Sequence, residues 1–321
     1  YIRSIVPEDL KPAKVLIEEG MEMGKDIKPV LPKYFTSKGY DDTVKALNDF
    51  AQKGESGKFC VNIGMATAQE TLDACLELAE WGEKVGIPVM SGLLLPSMQV
   101  GVPKEKRDKN LDTTAFMAET LEDYKLFNRE EIWMPFSNFV LFSPNAIETA
   151  IYGLESGSNM WGSSSQLCWD YPGCDNHKED VENLGRALGI IMANKECHPN
   201  FGCYVEDGLA GCCVDTIGCV AYYLFEQYVY TDLCGIPLNP CFGALVSDIR
   251  TKIALMVALD QCAKEKGGGL AFVHGSTTIQ WDHDIAGNYG ASAQEMLAVF
   301  LAEDHYKTGT NILAVPATEA I

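Results

Sequence analysis

The sequence predicts an α/β fold: a (β/α)8 barrel of the TIM type, built by residues 1–321 as a single domain, with a helical insertion at 103–131 lying over it. Three observations lead there. Short apolar runs bounded by Gly or Pro alternate with amphipathic stretches, the pattern of parallel strands joined by crossover helices. No Gly-x-Gly-x-x-Gly turn and no P-loop occurs, although a doubly wound nucleotide-binding sheet would announce itself that way. A chain of 321 residues that is 47% apolar and lacks long polar tracts can bury one large core.

Taken in order, the expected strands are 59–63, 87–95, 132–142, 233–238, 270–274 and 312–315. The stretch 68–84 carries Leu72, Cys75, Leu76 and Ala79 at helical spacing, and 247–266 carries Ile249, Ile253, Met256 and Cys262 before a stop at Gly267, Gly268 and Gly269. Both read as outer-layer helices. The insertion opens on a charged run from Lys104 to Lys109 and then turns helical.

A formal net charge of −20 repels polyanions, so nucleic acid and anionic membrane are not expected partners. No apolar run reaches the 18 or so residues that span a bilayer. The first residue is Tyr, and the chain is expected to be trimmed at its termini. Twelve cysteines, several within apolar patterns, read as reduced thiols and suggest a cytoplasmic protein of anaerobic metabolism. Among Cys168, Cys174, His177, Cys197, His198 and Cys203 no Cys-x-x-Cys pair appears, so no metal site is expected.

Catalytic residues of a barrel lie at the C-terminal ends of its strands. After the strand ending at His274 comes a loop with Gln280, Trp281, Asp282, His283 and Asp284, which holds two of the chain's five histidines counting His274. His274, Asp282, His283 and Asp284 are the expected proton-transfer or substrate-orienting groups. The alternative is a polar loop that caps a helix. Glu206 and Asp207 form a second acidic pair; they serve either as acid and base or as acidic residues favoured at a helix start. The turn from Gly157 to Ser165 is small enough to admit a large flat cofactor, or is an ordinary loop. The segments 156–163, 204–207 and 273–276 are expected to converge on one face.

Several segments, in the same order along the chain, carry a resemblance to a known family. They are Leu31-Pro32 with Gly39-Tyr40-Asp41, Asn62 to Gly64, the Cys75 helix, Gly157-Ser158-Asn159, and Leu209-Ala210-Gly211. They continue with Gly243 and Ser247-Asp248-Ile249, Thr277-Thr278 with Gln280-Trp281, and Pro316 to Ile321. Together they make the chain similar to the barrel (epsilon) chain of the glutamate mutase, or methylaspartate mutase, family of adenosylcobalamin enzymes. The resemblance implies a barrel subunit of a corrinoid-dependent carbon-skeleton mutase, an isomerase acting on a small molecule. Its cobalamin would be carried by or shared with a small corrinoid-binding partner in an oligomeric complex. Cofactor contacts would fall on Gly157, Ser158, Asn159, Gln280, Trp281 and Glu319. Ser91-Gly92 stand where that family has a substrate-binding arginine, and Val315 where it has a lysine. A broader resemblance to corrinoid methyltransferase barrels gives methyl transfer as the alternative, and a non-catalytic structural subunit is the second.

Overall fold

The computed structural model describes residues 9–55, 59–87, 89–94, 105, 118, 120–135, 141–164, 176–206, 215–243, 246–269, 272–274 and 282–314. The chain opens with helices α1 (Ala13–Gly24), α2 (Lys33–Thr36) and α3 (Thr43–Gln52), then β1 (Phe59–Ile63), α4 (Ala68–Val85) and β2 (Val89–Leu94). Helices α5 (Leu121–Leu126) and α6 (Ala146–Ser156) lead to β3 (Met160–Gly162), α7 (His177–Ala193) and β4 (Asn200–Tyr204). Next come α8 (Thr216–Gln227), continued as a π-turn over Tyr228–Leu233, and β5 (Leu238–Phe242). The chain proceeds through α9 (Ile249–Lys264), β6 (Phe272–His274), α10 (Ile285–Tyr306) and β7 (Asn311–Ala314).

The described strands form one parallel seven-stranded sheet in the order β2-β1-β7-β6-β5-β4-β3. The first strand therefore pairs with the last, and the sheet curls. Crossover helices start on polar caps: Thr67 accepts from Glu70 N before α4, Asp215 from Gly218 N before α8, and Asp248 from Thr251 N before α9. Such caps satisfy backbone donors that a helix start leaves unpaired. Gly86, at φ 73°, ends α4 in the left-handed conformation that a side chain would resist.

Period-two alternation divides the strand side chains between two cores. Trp161, Phe201, Cys203, Leu238, Phe242 and Val273 join the helix-facing core with Leu255, Met256 and Leu259 of α9. Cys60, Met90, Met160, Tyr204, Cys241 and Phe272 face the other way, into the concave side, where Trp133 joins them. Tyr34, Phe35, Leu47 and Phe50 from α2 and α3 pack into that same cluster.

The N-terminal ends of β3, β4 and β5 are tied by amides. Asn200 Nδ2 donates to Asn159 O at 3.0 Å, Asn239 Nδ2 donates to Asn200 Oδ1 at 3.0 Å, and Gly269 N donates to Asn239 Oδ1 at 2.9 Å. All three asparagines are buried. Outside the sheet, α1 lies against α7 through Gly20 and Gly24 on one helix and Gly185 and Gly189 on the other, a small-residue stripe that lets the backbones meet.

The sequence-based strand at 59–63 is β1, and 312–315 is β7 displaced by one residue. The expected strand at 233–238 is corrected: Tyr228–Leu233 is a π-turn and β5 begins only at Leu238. Its apolar residues Cys234 and Ile236 are buried as a connection, which explains the misleading pattern. At 132–142 the described part holds one sheet contact, Trp133 N donating to Met90 O at 2.9 Å. Most of 103–131 lies outside the described residues; within the remainder, α5 starts on a capping box made by Thr120 and Asp123. The eight described cysteines carry free thiols. Among the described residues, no helix is long and apolar enough to cross a membrane.

Candidate functional site

Parallel strands bring their C-terminal ends to one edge of the sheet, and the residues just beyond β4 and β5 meet there. Val205 N donates to Cys241 O at 2.9 Å and continues the ladder past β4. Its neighbour Glu206 is 4% exposed, and its Oε2 accepts from Gly243 N at 2.7 Å. Gly243 has φ 121°, a conformation open to glycine, and this turn aims its N–H at the carboxylate.

Beside this pair lies a lysine. Lys252, one turn into α9, is 1% exposed, and its Nζ is 3.2 Å from Glu295 Oε1 of α10. Burial pulls the Lys252 ammonium below its usual range, while Glu295, and then Glu206, oppose the shift. The buried Lys252–Glu295 pair of α9 and α10 thus lies within electrostatic reach of Glu206, just beyond β4.

A second polar group sits behind β3 and β4. Glu226 of α8 is 1% exposed; it accepts from Ser164 Oγ at 2.8 Å and Tyr222 Oη at 3.0 Å, and pairs closely with Ser163 Oγ. Burial raises its carboxyl, against the hydrogen bonds of Ser163, Cys203, Ser164 and Tyr222. Burial likewise pushes the Cys203 thiol well above its ordinary value, so this sulfur is a poor nucleophile. In the concave face, Gly162 and Gly202 stand opposite one another in register and contribute no side chains there.

Of the residues expected from the sequence, Glu206 lies at this edge, and His274 closes β6 at its C-terminal end. Asp207, Gln280, Trp281 and Glu319 lie outside the described residues. Asp282, His283 and Asp284 are exposed. Asp284 Oδ1 accepts from Gly287 N at 3.1 Å, Asp282 Oδ1 accepts from Asp284 N at 2.7 Å, and Asn288 binds both backbone groups of Asp282. These acids cap α10, the simpler of the two readings.

The expected convergence of 156–163 with the other two segments is corrected. Ser163 follows β3 on the same edge as Glu206, but Gly157, Ser158 and Asn159 precede β3 and lie at the opposite end. Gly157, at φ 85°, ends α6, and a Cβ there would meet Asn128 Nδ2 at 2.3 Å. Asn159 Nδ2 donates to Thr43 Oγ1 at 2.8 Å and His198 O at 3.1 Å. These three residues are committed to packing.

Lys252, Glu295 and Glu226 were missed by the sequence reading, yet each leaves a signal. Lys252 shares the apolar stripe of Leu255, Met256 and Leu259, Glu226 that of Cys219, Tyr222 and Tyr223, and Glu295 that of Val299 and Ala302. A charge on a buried stripe needs a partner.

No family model and no curated protein matches the chain. Among solved structures it is similar to the carboxyl transferase domain of Rhizobium etli pyruvate carboxylase, with a TM-score of 0.40 and 11% identity over 95% of this chain. The chain spans 50% of the length of that one, and the likeness is too loose to bear on fold or chemistry.

Proposed function

We propose that the chain is a small-molecule enzyme of the (β/α)8 type, with its active site at the C-terminal ends of β4, β5 and β6. In this reading the stretch around Trp133 supplies the remaining strand between β2 and β3. Its support is the Trp133 N to Met90 O bond and the packing of Trp133 with Met90 and Met160. One observation carries the functional reading: a buried carboxylate, Glu206, stands just beyond the C-terminal end of β4, fixed by a backbone amide and within electrostatic reach of a buried lysine. Such a group is placed to take or give a proton at a bound substrate. Lys252 is a positioning residue that acts through its field at Glu206, and Glu295 acts through Lys252.

Carbon-skeleton isomerisation is the reaction class that the family resemblance favours. The concave side is a packed apolar core of Met90, Trp133, Met160, Cys241 and Phe272, which would keep water from an intermediate held at the strand ends. A corrinoid brought by a partner subunit, in the cytoplasm, belongs to the same reading. Of its expected contacts, Gly157, Ser158 and Asn159 do not fit: they precede β3, at the end of the sheet away from Glu206, where Asn159 Nδ2 and O are held by Thr43, His198 and Asn200.

The test has two arms. A visible spectrum of the complex purified from its native source shows the corrinoid bands if that cofactor is used. A panel of small hydroxy, amino and dicarboxylic acids is then screened by thermal shift and turnover on the same complex and its Glu206→Gln variant. The expected loss in Glu206→Gln is about 100-fold or more in turnover, with the melting midpoint nearly unchanged. Turnover that survives the substitution refutes the site.

A further inference from the structure

Glu226 is the one charged residue between Thr216 and Thr231, and it lies on the buried side of α8. Burying a carboxylate is unfavourable unless its oxygens are well bonded. Here they are: Ser163 Oγ, Ser164 Oγ and Tyr222 Oη donate to it, and the Cys203 thiol is a fourth donor. Four donors around one carboxyl favour its ionised form against burial. That form has about four lone-pair positions and no hydrogen, so each neighbour must turn its own hydrogen inward. The hydroxyls are left presenting lone pairs on their other side. For Ser163 and Tyr222 that side is protein, since both are buried. Ser164 differs. It is half-buried and stands two residues past β3, on the edge of the sheet that carries Glu206. Ser163 N donates to Gly202 O at 2.8 Å and carries the β3–β4 register beyond Gly162. By strand spacing and rise, Ser164 and Glu206 occupy neighbouring strand ends roughly 8 Å apart, the span of a small molecule.

We infer that Ser164 is a specificity-determining residue of the proposed site, accepting a hydrogen bond from an amino or hydroxyl group of the substrate, and that Glu226 is the positioning residue that fixes its hydroxyl for this. The inference rests on the reading of Glu206 as the proton-transfer group. It narrows the substrate to molecules that carry an N–H or O–H donor within a few bonds of the reacting centre. A glutamine at position 226 would not serve, because its amide hydrogens would force at least one neighbouring hydroxyl to accept instead of donate. An acceptor-only group is what orients all the hydroxyls one way, which gives a reason for a carboxylate on an otherwise uncharged helix.

The test uses the full complex and the substrate that the panel identifies, together with analogues in which each amino or hydroxyl group is replaced by hydrogen. In the wild type, KM should favour the donor-bearing substrate over one matching analogue by about 10-fold. Ser164→Ala should erase that preference, raising KM for the substrate about 10-fold while kcat stays within about 3-fold. Glu226→Gln should lose about 5-fold of it. The double variant should discriminate no worse than Ser164→Ala alone, because Glu226 acts through Ser164. Circular dichroism and a thermal melt report folding; if Glu226→Gln is unfolded, Ser164→Ala at its half-buried position decides alone. A preference that survives Ser164→Ala overturns the inference. So does a substrate with no donor outside its carboxyl groups, an additive double variant, or a Glu226→Gln variant that loses turnover with the preference intact. The underlying reading fails separately: turnover that persists in Glu206→Gln, or a panel in which nothing is bound, removes the site and this inference with it.

Discussion

Replacing one glycine by alanine should have opposite signs at two helical sites of this protein. At Gly189 of α7, an added Cβ would lie 2.2 Å from Ile17 O and 2.9 Å from Gly20 Cα of α1. Those atoms are backbone and cannot rotate away, so the helices must separate by about 1 Å to restore ordinary contact. Overpacking of this kind costs about 1–3 kcal/mol, and the separation also loosens Leu16, buried against the crossing. Alanine recovers about 1 kcal/mol through helix propensity, which leaves Gly189→Ala destabilised by up to about 2 kcal/mol. At Gly290 of α10 nothing lies within 4 Å of the added Cβ, so only propensity acts, and the variant gains about 0.5–1 kcal/mol. Urea unfolding at one pH, with slopes checked for equality, reads both changes. For 321 residues each kcal/mol corresponds to about 1.5 °C in the thermal midpoint. Two shifts of the same sign would refute the close crossing of α1 and α7.

Two further outcomes follow from buried charge. Lys252→Met leaves Glu295 buried without its ammonium and should cost about 3–5 kcal/mol, whereas the double variant with Glu295→Met recovers more than half; a double variant as unstable as the single would show that the pair is not coupled. Asp260 is raised to about 6 by burial, with its hydrogen bond to Lys264 opposing, so the folded state holds its proton more tightly than the unfolded chain. Its contribution is present below about pH 4 and is lost as pH rises through 6. After solvent screening, Asp260→Asn should gain about 1–2 kcal/mol on the wild type between pH 4 and pH 7.5, read from urea midpoints. Parallel profiles would remove Asp260 from the pH dependence.

The legible parts of the fold were those where side-chain chemistry and structure use one signal. β1 and β7 are apolar runs with Val or Ile, and α4 and α9 carry long helical stripes, so periodicity found them. β3, β4 and β5 read Met-Trp-Gly, Asn-Phe-Gly-Cys-Tyr and Leu-Asn-Pro-Cys-Phe; their Gly and Pro look like breakers. In the sheet, Gly162 and Gly202 face each other on the concave side, and Pro240 precedes Cys241, where pairing with β6 begins. The site was half legible for a related reason. Glu206 stood out as an acidic residue beside another, but its partners Gly243, Lys252 and Glu295 are 37 to 89 positions away, and only the sheet order brings them to it.

The asparagine ladder bears on how this chain reaches its native state. Asn159 to Asn200 spans 41 residues and Asn200 to Asn239 spans 39, so each link joins one strand–helix unit to the next. Neither has to wait for distant parts of the chain, and the loop-closure entropy of each is that of a single crossover. The β3–β5 segment can therefore assemble stepwise as its own cooperative unit, with low contact order. Pairing of β1 with β7 is the opposite case, joining Phe59 to Ile312 across nearly the whole sequence. Loop-closure entropy therefore predicts that this pairing forms late, after the amide-linked β3–β5 end of the sheet.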